Sequence, residues 1–293
     1  AGWSATYEAP LSAEYHGWTV WKADTWAQSP VLLQSLRLLD GTDLPKMDLN
    51  GADFVHTVTE AMKLCFADRE AYYGDPAQTV IPTEHLLSTA YADARRDLIG
   101  ATASHDQRPG HITGYEAWRD AALARSNMKT AEAGVGAGEP TMAHLTEKRG
   151  DTVHIDVIDQ WGNVVSATPS GGWLQSSPVV PGLGMPLNSR AQMFWLDEGL
   201  PTSLAPGRRP RTTLSPTIAG RDGHLLSFGT PVGDQQYQWQ LIFFLRHVHG
   251  LTNLQAAIDA PLFHPGHFQA SFYPHPTQPG HLMVEPTLGA DVI

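Results

Sequence analysis

Apolar residues recur every three to four positions through the first part of the chain, which predicts a series of amphipathic helices. A hydroxyl or amide side chain at the cap and a proline in the first turn favour a helix start, as at Ser29-Pro30 and at Asn50. Residues 15–22 alternate between apolar and polar, which predicts a strand before the first helix. The four predicted helices run from Pro30 to Gly41, from Asn50 to Gly74, from Thr83 to Ile99 and from Thr113 to Arg125.

Strict alternation of apolar and polar residues begins at Thr152. Residues 152–158 have the period of a strand with one buried face. Residues 159–163 have turn chemistry and residues 164–168 are again β-prone, so this region is predicted to be a hairpin that opens with a threonine. A second hairpin is predicted over residues 215–228, because two β-prone runs flank a Gly-Arg-Asp-Gly turn.

A glycine-rich segment from Ala131 to Gly150 separates these two parts and favours no regular structure. We predict a mostly helical part, residues 1–151, and a β-rich part, residues 152–293, which together form one domain. A flexible segment that runs into a strand opened by Thr152 is what a self-cleaving precursor requires. The alternative is that this threonine is only a β-prone residue, as most threonines at strand starts are.

The segment from Phe228 to Gly233 predicts an anion-binding turn. It leaves a strand and leads to Asp234, a good N-cap, and to a helix over residues 235–248. Free backbone N–H groups and the helix dipole converge at such a helix start. The alternative is a tight connection that binds nothing. A further short helix, residues 253–260, is predicted after it.

Composition narrows the classes of function. The 293 residues carry a formal net charge of -11, with 42% hydrophobic and 17% charged residues, as in an ordinary globular protein. Nucleic acid and anionic membranes bind to basic surfaces, so neither is expected as a partner. No apolar run approaches the roughly 20 residues that cross a bilayer. The single Cys65 excludes an internal disulfide and is interpreted as a core thiol, against the alternative of a nucleophile.

No metal and no cofactor is predicted. The histidines are not spaced with cysteines or carboxylates in a metal-binding pattern, and no glycine-rich nucleotide motif is present. Residues 1–4 lack the basic start and apolar middle of a signal peptide, and the chain begins without Met, so we expect a fragment. The compartment stays unassigned, with the cytoplasm slightly favoured over a periplasmic or secreted location.

Several short strings carry a family resemblance along nearly the whole chain. They are Gly17-Trp18-Thr19-Val20, Ser29-Pro30-Val31-Leu32-Leu33-Gln34, Ala61-Met62-Lys63-Leu64-Cys65-Phe66-Ala67-Asp68-Arg69, Tyr73-Gly74-Asp75-Pro76, Thr152-Val153-His154, Pro206-Gly207-Arg208-Arg209-Pro210 and Leu214-Ser215-Pro216-Thr217-Ile218. In this order they resemble the γ-glutamyltranspeptidase family of N-terminal-nucleophile (Ntn) hydrolases. The resemblance implies a chain that begins inside the large subunit and stops before the small subunit ends.

The resemblance also implies a fold and a mechanism. The fold would be α+β, the four-layer αββα sandwich of Ntn hydrolases. The precursor would cut itself between Asp151 and Thr152, and the two subunits would stay associated. Thr152 would then be the nucleophile, with its own α-amine as the base, since an α-amine titrates near 8. Ser170 would hydrogen-bond the nucleophile, and the N–H groups of Val232 and Gly233 would bind the oxyanion. Val232 replaces a glycine of the family, and it can serve because only its N–H is used, provided that its φ is negative.

The pocket for the γ-glutamyl group departs from the family pattern. Gly172 stands where typical members have an asparagine that binds the substrate carboxylate, and Met193 stands where they have the acid that binds the substrate amine. Arg190 replaces a glutamine and is a candidate carboxylate ligand, with a surface charge as the alternative. The family's own carboxylate-binding arginine would lie before residue 1. The substrate-binding candidates are Arg190, Gln192, Thr212 and Thr213.

These observations leave three functions open for a protein that acts on a small-molecule amide. The first, by family, is the hydrolysis or transfer of γ-glutamyl amides such as glutathione through an ester on Thr152. The second is a glutaryl amidase similar to cephalosporin acylases, because the amine-binding acid is missing. The third is an unprocessed, non-catalytic member that only binds. Losing the polar partners of a pocket changes specificity strongly, so the substrate is less certain here than the chemistry.

Overall fold

The computed structural model describes residues 4–126, 152–172, 178–250 and 253–293. The strands are β1 (Leu11–Tyr15), β2 (Trp18–Lys22), β3 (Ile155–Ile158), β4 (Val164–Ala167), β5 (Val179–Val180), β6 (Met185–Pro186), β7 (Thr217–Arg221), β8 (His224–Phe228), β9 (Phe263–Pro265) and β10 (Leu282–Val284). The helices are α1 (Pro30–Leu39), α2 (Ala52–Tyr72), α3 (Thr83–Leu86), α4 (Thr89–Arg96), α5 (Glu116–Ser126), α6 (Gln235–His249) and α7 (Leu254–Asp259). The prediction of a mixed helix and strand protein is confirmed.

The largest sheet of the described residues has the antiparallel order β1-β2-β7-β8. Its two central strands come from distant parts of the chain, with Val20 of β2 opposite Ala219 of β7. Helix α1 packs on β1 and β2, and Phe244 of α6 stacks on Phe228 of β8 at 5.6 Å between ring centroids. One face of the sheet is therefore covered by α1 and α6, and the long helix α2 packs against α1.

The main hydrophobic core lies between this sheet and the helices. Cys65 on α2 is part of it, and burial raises the pKa of its thiol to about 12, so the prediction of a core thiol is confirmed. A thiol with such a high pKa is a poor nucleophile. Across the described ranges, the search for a helix long and apolar enough to cross a membrane finds none.

Four predicted helices agree with the structure, although α1 and α2 are buried on nearly all sides rather than on one face. Helices α1, α2, α6 and α7 lie where the apolar spacing puts them, and Asn253 caps α7 by accepting from Gln255 N and Ala256 N. The single helix predicted from Thr83 to Ile99 is wrong. The chain forms α3, breaks, and restarts at α4, where Ser88 accepts a hydrogen bond from Tyr91 N.

Two predicted element starts are also wrong. Gly51, not Asn50, caps α2, and Asn50 instead accepts a hydrogen bond from Arg246 Nη2 at 2.9 Å. The strand predicted over residues 15–22 is a hairpin, since β1 and β2 meet at His16 and Gly17, whose φ angles are 45° and 79°. Two consecutive positive φ angles are typical of a type I′ turn, which ordinary alternation does not reveal.

The hairpin of β3 and β4 is present, but its predicted buried face is not. Every residue of β3 is exposed, including Ile155 and Val157 at 48% and 51%. The period-2 pattern therefore predicted the strand correctly and its environment incorrectly. The β7–β8 hairpin is confirmed, with Asp222 and Gly223 in the turn.

Candidate active site

Thr152 lies just before β3, and its side chain points to the loop that follows β4. The Val153 N–H donates to the carbonyl of Pro169 at 3.2 Å, which continues the hairpin up to its first residues. Thr152 Oγ1 donates to Ser170 Oγ at 2.9 Å. The same Ser170 oxygen accepts the N–H of Gly172 at 3.1 Å. The two predicted hydroxyls are therefore brought together, and a backbone donor orients the second one.

The first residues of the β3 hairpin lie against the end of β8. Asp156 accepts a hydrogen bond from Ser227 of β8, and the imidazole of His154 occupies the space where a Cβ on Gly229 would lie. Moving from Asp156 back to His154 thus corresponds to moving from Ser227 forward to Gly229. Extended by two more residues, the same progression would place Thr152 beside the turn that follows β8.

That turn has an unusual backbone. Val232 has a φ of 84°, a region that β-branched residues rarely adopt. The sequence-based condition that this φ is negative is therefore wrong. The turn is bracketed by Gln236, whose side-chain Nε2 donates to the Val232 carbonyl at 2.6 Å and whose N–H donates to the Gly233 carbonyl at 3.2 Å. A carbonyl held in this way fixes the orientation of the peptide plane beside it.

Asp234 occupies the N-cap position of α6, but its side chain makes no capping bond. The carboxylate instead accepts from Gln28 Nε2 at 2.7 Å, Arg69 Nη1 at 2.9 Å and Ser271 Oγ at 2.6 Å, and from the Ser271 N–H at 2.8 Å. The prediction that Asp234 acts as a cap is wrong. The helix start is tied to distant segments of the chain rather than to its own first turn.

Arg190 is a buried cation close to the Ser170 loop. Its neighbour Ser189 donates its N–H to Gly171 at 3.0 Å, so Arg190 lies beside the loop that carries Ser170. Its Nη1 donates to Thr213 Oγ1 at 3.0 Å, and its guanidinium lies 5.4 Å from the Phe272 ring centroid. Burial lowers the pKa of Arg190 to about 10, so it still carries its charge at neutral pH. Among the described residues, its Nε has no hydrogen-bond partner.

The other predicted substrate ligands differ in whether they contact Arg190. Thr213 contacts Arg190 directly, whereas Thr212 Oγ1 accepts from Leu214 N and its backbone pairs with the segment before α1. Gln192 is held through its backbone, since its carbonyl accepts the N–H of Tyr273. Asp151 lies outside the described residues, as does the predicted linker.

The two positions predicted to depart from the family's γ-glutamyl pocket, Gly172 and Met193, have clear physical settings. Met193 is 1% exposed and packs with Phe272, so its position offers a buried thioether where an ammonium would need a carboxylate. Gly172 has a φ of 79°, and a Cβ added there would overlap Ser189 Oγ. An asparagine at position 172 would therefore meet both a strained backbone and an occupied space.

Sequence reasoning missed the partners of Asp234. Gln28, Arg69 and Ser271 lie on a loop, a helix and the C-terminal region, and no local pattern relates them. One signal was available, because an arginine within the apolar face of a predicted helix requires a buried anion.

The fold and this site define a class of protein: mixed helix and strand, with a threonine at the opening of a β hairpin, a second hydroxyl bonded to it, and a strand-to-helix turn whose first glycine contacts the same hairpin. The family model described as Gamma-glutamyltranspeptidase matches residues 1–293, and the chain belongs to that family.

Three known proteins show what the chain is similar to. The Acylase ACY 1 proenzyme of Pseudomonas sp. (strain V22) is 30% identical over 255 residues, which cover 86% of this chain and 40% of that protein. The Glutathione hydrolase proenzyme of Pseudomonas sp. (strain A14) is 28% identical over 272 residues, covering 87% and 42%. The solved structure of LmbA2991HD is 50% identical, with a TM-score of 0.83, and the match covers 100% of this chain and 48% of that one. The chain therefore spans less than half the length of these relatives.

Proposed function

We propose that the whole protein is a self-cleaving amidohydrolase whose nucleophile is Thr152. The observation that carries this proposal is the hydrogen bond between Thr152 Oγ1 and Ser170 Oγ, at the opening of a hairpin whose His154 packs against Gly229 after β8. Two of the relatives are named proenzymes, which supports processing. For the complete protein we propose the four-layer αββα sandwich, with residues 1–151 and 152–293 as parts of its two subunits.

The chemistry proceeds in two acyl transfers. In the precursor, the Thr152 hydroxyl attacks the carbonyl carbon of Asp151, the C–N bond breaks, and water hydrolyses the resulting ester. The freed α-amine of Thr152 then accepts the proton of its own hydroxyl as the oxygen attacks a substrate amide, and the amine product leaves with a proton. The N–H groups of Gly233 and of Val232, which keeps this role in spite of its positive φ because only its N–H is used, stabilise the oxyanion, a contribution of about 3 kcal/mol for one donor. Water, or an acceptor amine, finally releases the acyl group.

Two acyl groups are candidates, and the pocket favours one of them. The family's γ-glutamyl group carries an α-ammonium, which needs an acid that Met193 cannot provide. A glutaryl-like acyl group has a carboxylate and no amine. The buried charge of Arg190, beside Thr213, suits such a carboxylate, because a guanidinium can donate to it through two N–H groups. We therefore propose an amide with a dicarboxylic acyl group as substrate, and γ-glutamyl amides such as glutathione as the second candidate.

Intact-mass measurement of the full-length protein tests the proposal. We expect cleavage between Asp151 and Thr152 in the wild type, since the hydroxyl attacks its own preceding carbonyl. Thr152→Ala should stay uncleaved, and Thr152→Ser should still cut. A single uncut chain in the wild type would instead favour a non-catalytic binding member of the family, and cleavage in Thr152→Ala would move the nucleophile elsewhere.

Turnover of two chromogenic anilides tests the acyl group. We expect a glutaryl anilide to react faster than a γ-glutamyl anilide. Arg190→Met should raise KM for the glutaryl anilide by about 10-fold or more, because a charged hydrogen bond is worth about 1.5–3 kcal/mol. A faster reaction with the γ-glutamyl anilide would restore glutathione-like substrates as the first candidate.

A further inference from the structure

The Val232–Gly233 turn needs an external restraint to keep its shape. A non-glycine residue in a sparsely populated backbone region costs about 1–3 kcal/mol and persists only when its surroundings hold it. Val232, with its φ of 84°, is such a residue, and its β-branched side chain adds to the strain. Within the turn, Gln236 holds the carbonyl oxygens of Val232 and Gly233. A second restraint acts on the residue that follows.

That restraint is the buried carboxylate of Asp234. All four of its donors come from segments that are remote from the turn in sequence, and the residue is 8% exposed. Because Asp234 follows Gly233 directly, anchoring its side chain fixes the peptide that carries the turn into α6. The side chain gives up the ordinary capping role to make these contacts.

Arg69 is a rigid anchor for this carboxylate. Its residue is 0% exposed, and its guanidinium lies 4.8 Å from the ring centroid of Phe66 and 5.0 Å from that of Phe268. Nη1 also donates to Gln28 Oε1 at 2.6 Å, and Nη2 donates to the carbonyl of Gln269. The arginine therefore has little freedom, and it belongs to α2, the longest helix of the described residues.

We infer that Arg69 and Asp234 are positioning residues that hold the Val232–Gly233 turn in its strained conformation, so that its N–H groups face the oxyanion formed at Thr152. The inference rests on the proposed function, because it assigns a purpose to the same turn. The ion pair acts through the backbone and contacts no reacting atom. A misplacement of about 1 Å in such donors is enough to reduce turnover by about 100-fold.

Kinetics of the full-length protein, normalised to the cleaved fraction, test this role. Asp234→Asn and Arg69→Met should lower kcat by about 10- to 100-fold, with KM for the preferred anilide within about 3-fold, because they relax donors that act mainly in the transition state. The matched control is Arg95→Met, which breaks the buried pair of Arg95 with Asp68, the residue before Arg69 on α2, at 3.4 Å. The control should lose stability but keep kcat within about 3-fold.

Two further measurements separate positioning from general destabilisation. Val232→Gly removes the strain, because glycine adopts a positive φ without cost, so it should recover at least part of the kcat lost in Asp234→Asn and none lost in Arg95→Met. Amide hydrogen exchange of the peptide from Thr230 to Gln238 should be faster in Asp234→Asn and Arg69→Met, the two clamp variants, and unchanged in Arg95→Met.

The outcomes distinguish this inference from the proposed function. If Thr152→Ala abolishes turnover while Asp234→Asn keeps the wild-type kcat and exchange, the positioning role is wrong and the nucleophile stands. Equal kcat losses in the clamp variants and in Arg95→Met would also overturn it. If the wild type turns over neither anilide, the proposed substrate is wrong, and hydrogen exchange of the turn alone tests the positioning role. Unchanged exchange in both clamp variants would then reject that role.

Discussion

Single residues decide how far this pocket differs from a γ-glutamyl pocket. The family resemblance predicts that Gly172 and Met193 stand at the positions of two polar ligands, and the structure shows what surrounds each of them. Ser189 Oγ lies in the space of any side chain at position 172, and the backbone there has a φ of 79°. A side chain at position 172 would therefore need both a strained backbone and a shift of Ser189.

Gly172→Ala is expected to lower the free energy of unfolding more than a matched glycine substitution does. Gly182 has a similar φ of 82° but nothing within 4 Å of an added Cβ, so Gly182→Ala reports backbone strain alone. The difference between the two variants should be about 1–3 kcal/mol, the cost of overpacking against Ser189. Urea unfolding of both variants checks this. Equal losses would show that Ser189 rotates away without cost.

Residue-level inference from the sequence was strongest for chemistry and weakest for conformation. Thr152 and Ser170 were paired through the family resemblance, and the structure brings their oxygens within 2.9 Å, although their catalytic roles stay predictions. The φ of Val232 was not predictable. A backbone angle of this kind is imposed by long-range contacts, such as those of Asp234, and leaves no periodic signal in the sequence.

At the scale of elements, α2 collects buried charges that tie helices and loops together. Glu70 accepts from Arg211 Nη2 at 2.9 Å and from Trp195 Nε1 at 2.9 Å, with Arg125 and Arg69 nearby. Burial by itself would raise the pKa of Glu70, but the three arginines outweigh it and lower the pKa to about 2 from 4.5. The charged carboxylate is therefore favoured in the folded state.

The stabilisation from Glu70 should depend on pH in a defined window. The folded pKa is depressed, so the stabilisation is complete above about pH 4.5 and is lost as the pH falls toward about 2. Glu70→Gln should cost about 3–5 kcal/mol at pH 7, because it leaves buried arginines without their anion. Urea midpoints from pH 7 to pH 3 should show the two proteins converging below pH 4.5. Asp93→Asn, in an exposed pair with Arg96, is the control and should change little.

Element prediction succeeded where apolar residues recur at helical spacing over several turns, as in α1, α2 and α6, although α1 and α2 are buried on nearly all sides. It failed where a short connection sets the outcome: the break between α3 and α4, and the two-residue turn at His16 and Gly17. The exposed faces of β3 show a different limit. Alternation reports that a strand has an apolar side, and it does not report what covers that side.

Over the whole molecule, contacts across the 151–152 boundary are numerous and buried. Strand β2 pairs with β7 over four residue pairs, and Lys22 of β2 donates to Thr217 Oγ1 of β7 at 2.6 Å. The Arg69–Asp234 and Glu70–Arg211 pairs cross the same boundary. These contacts join the two parts independently of the peptide bond between them.

The cleaved protein is therefore expected to stay associated as two pieces. Size-exclusion chromatography with mass detection should show both pieces in one peak, even at about 1 M NaCl, because buried ion pairs and strand hydrogen bonds are screened little by salt. Separation should require a denaturant. Pieces that separate at high salt alone would show that exposed charges, rather than the shared sheet, hold them together.

The backbone bond from the Val153 N–H to the Pro169 carbonyl has an entropic consequence. Once the bond before Thr152 is cut, the new chain end is tethered one residue from its terminus, so its amino group searches only a small volume. The amine and the hydroxyl belong to the same residue, so the base is already beside its hydroxyl, and the tether limits the freedom that the pair would lose on meeting a substrate amide. A soluble amine added to a variant that lacks the free α-amine of Thr152 would therefore need a concentration far above any practical one to replace that amine as the base.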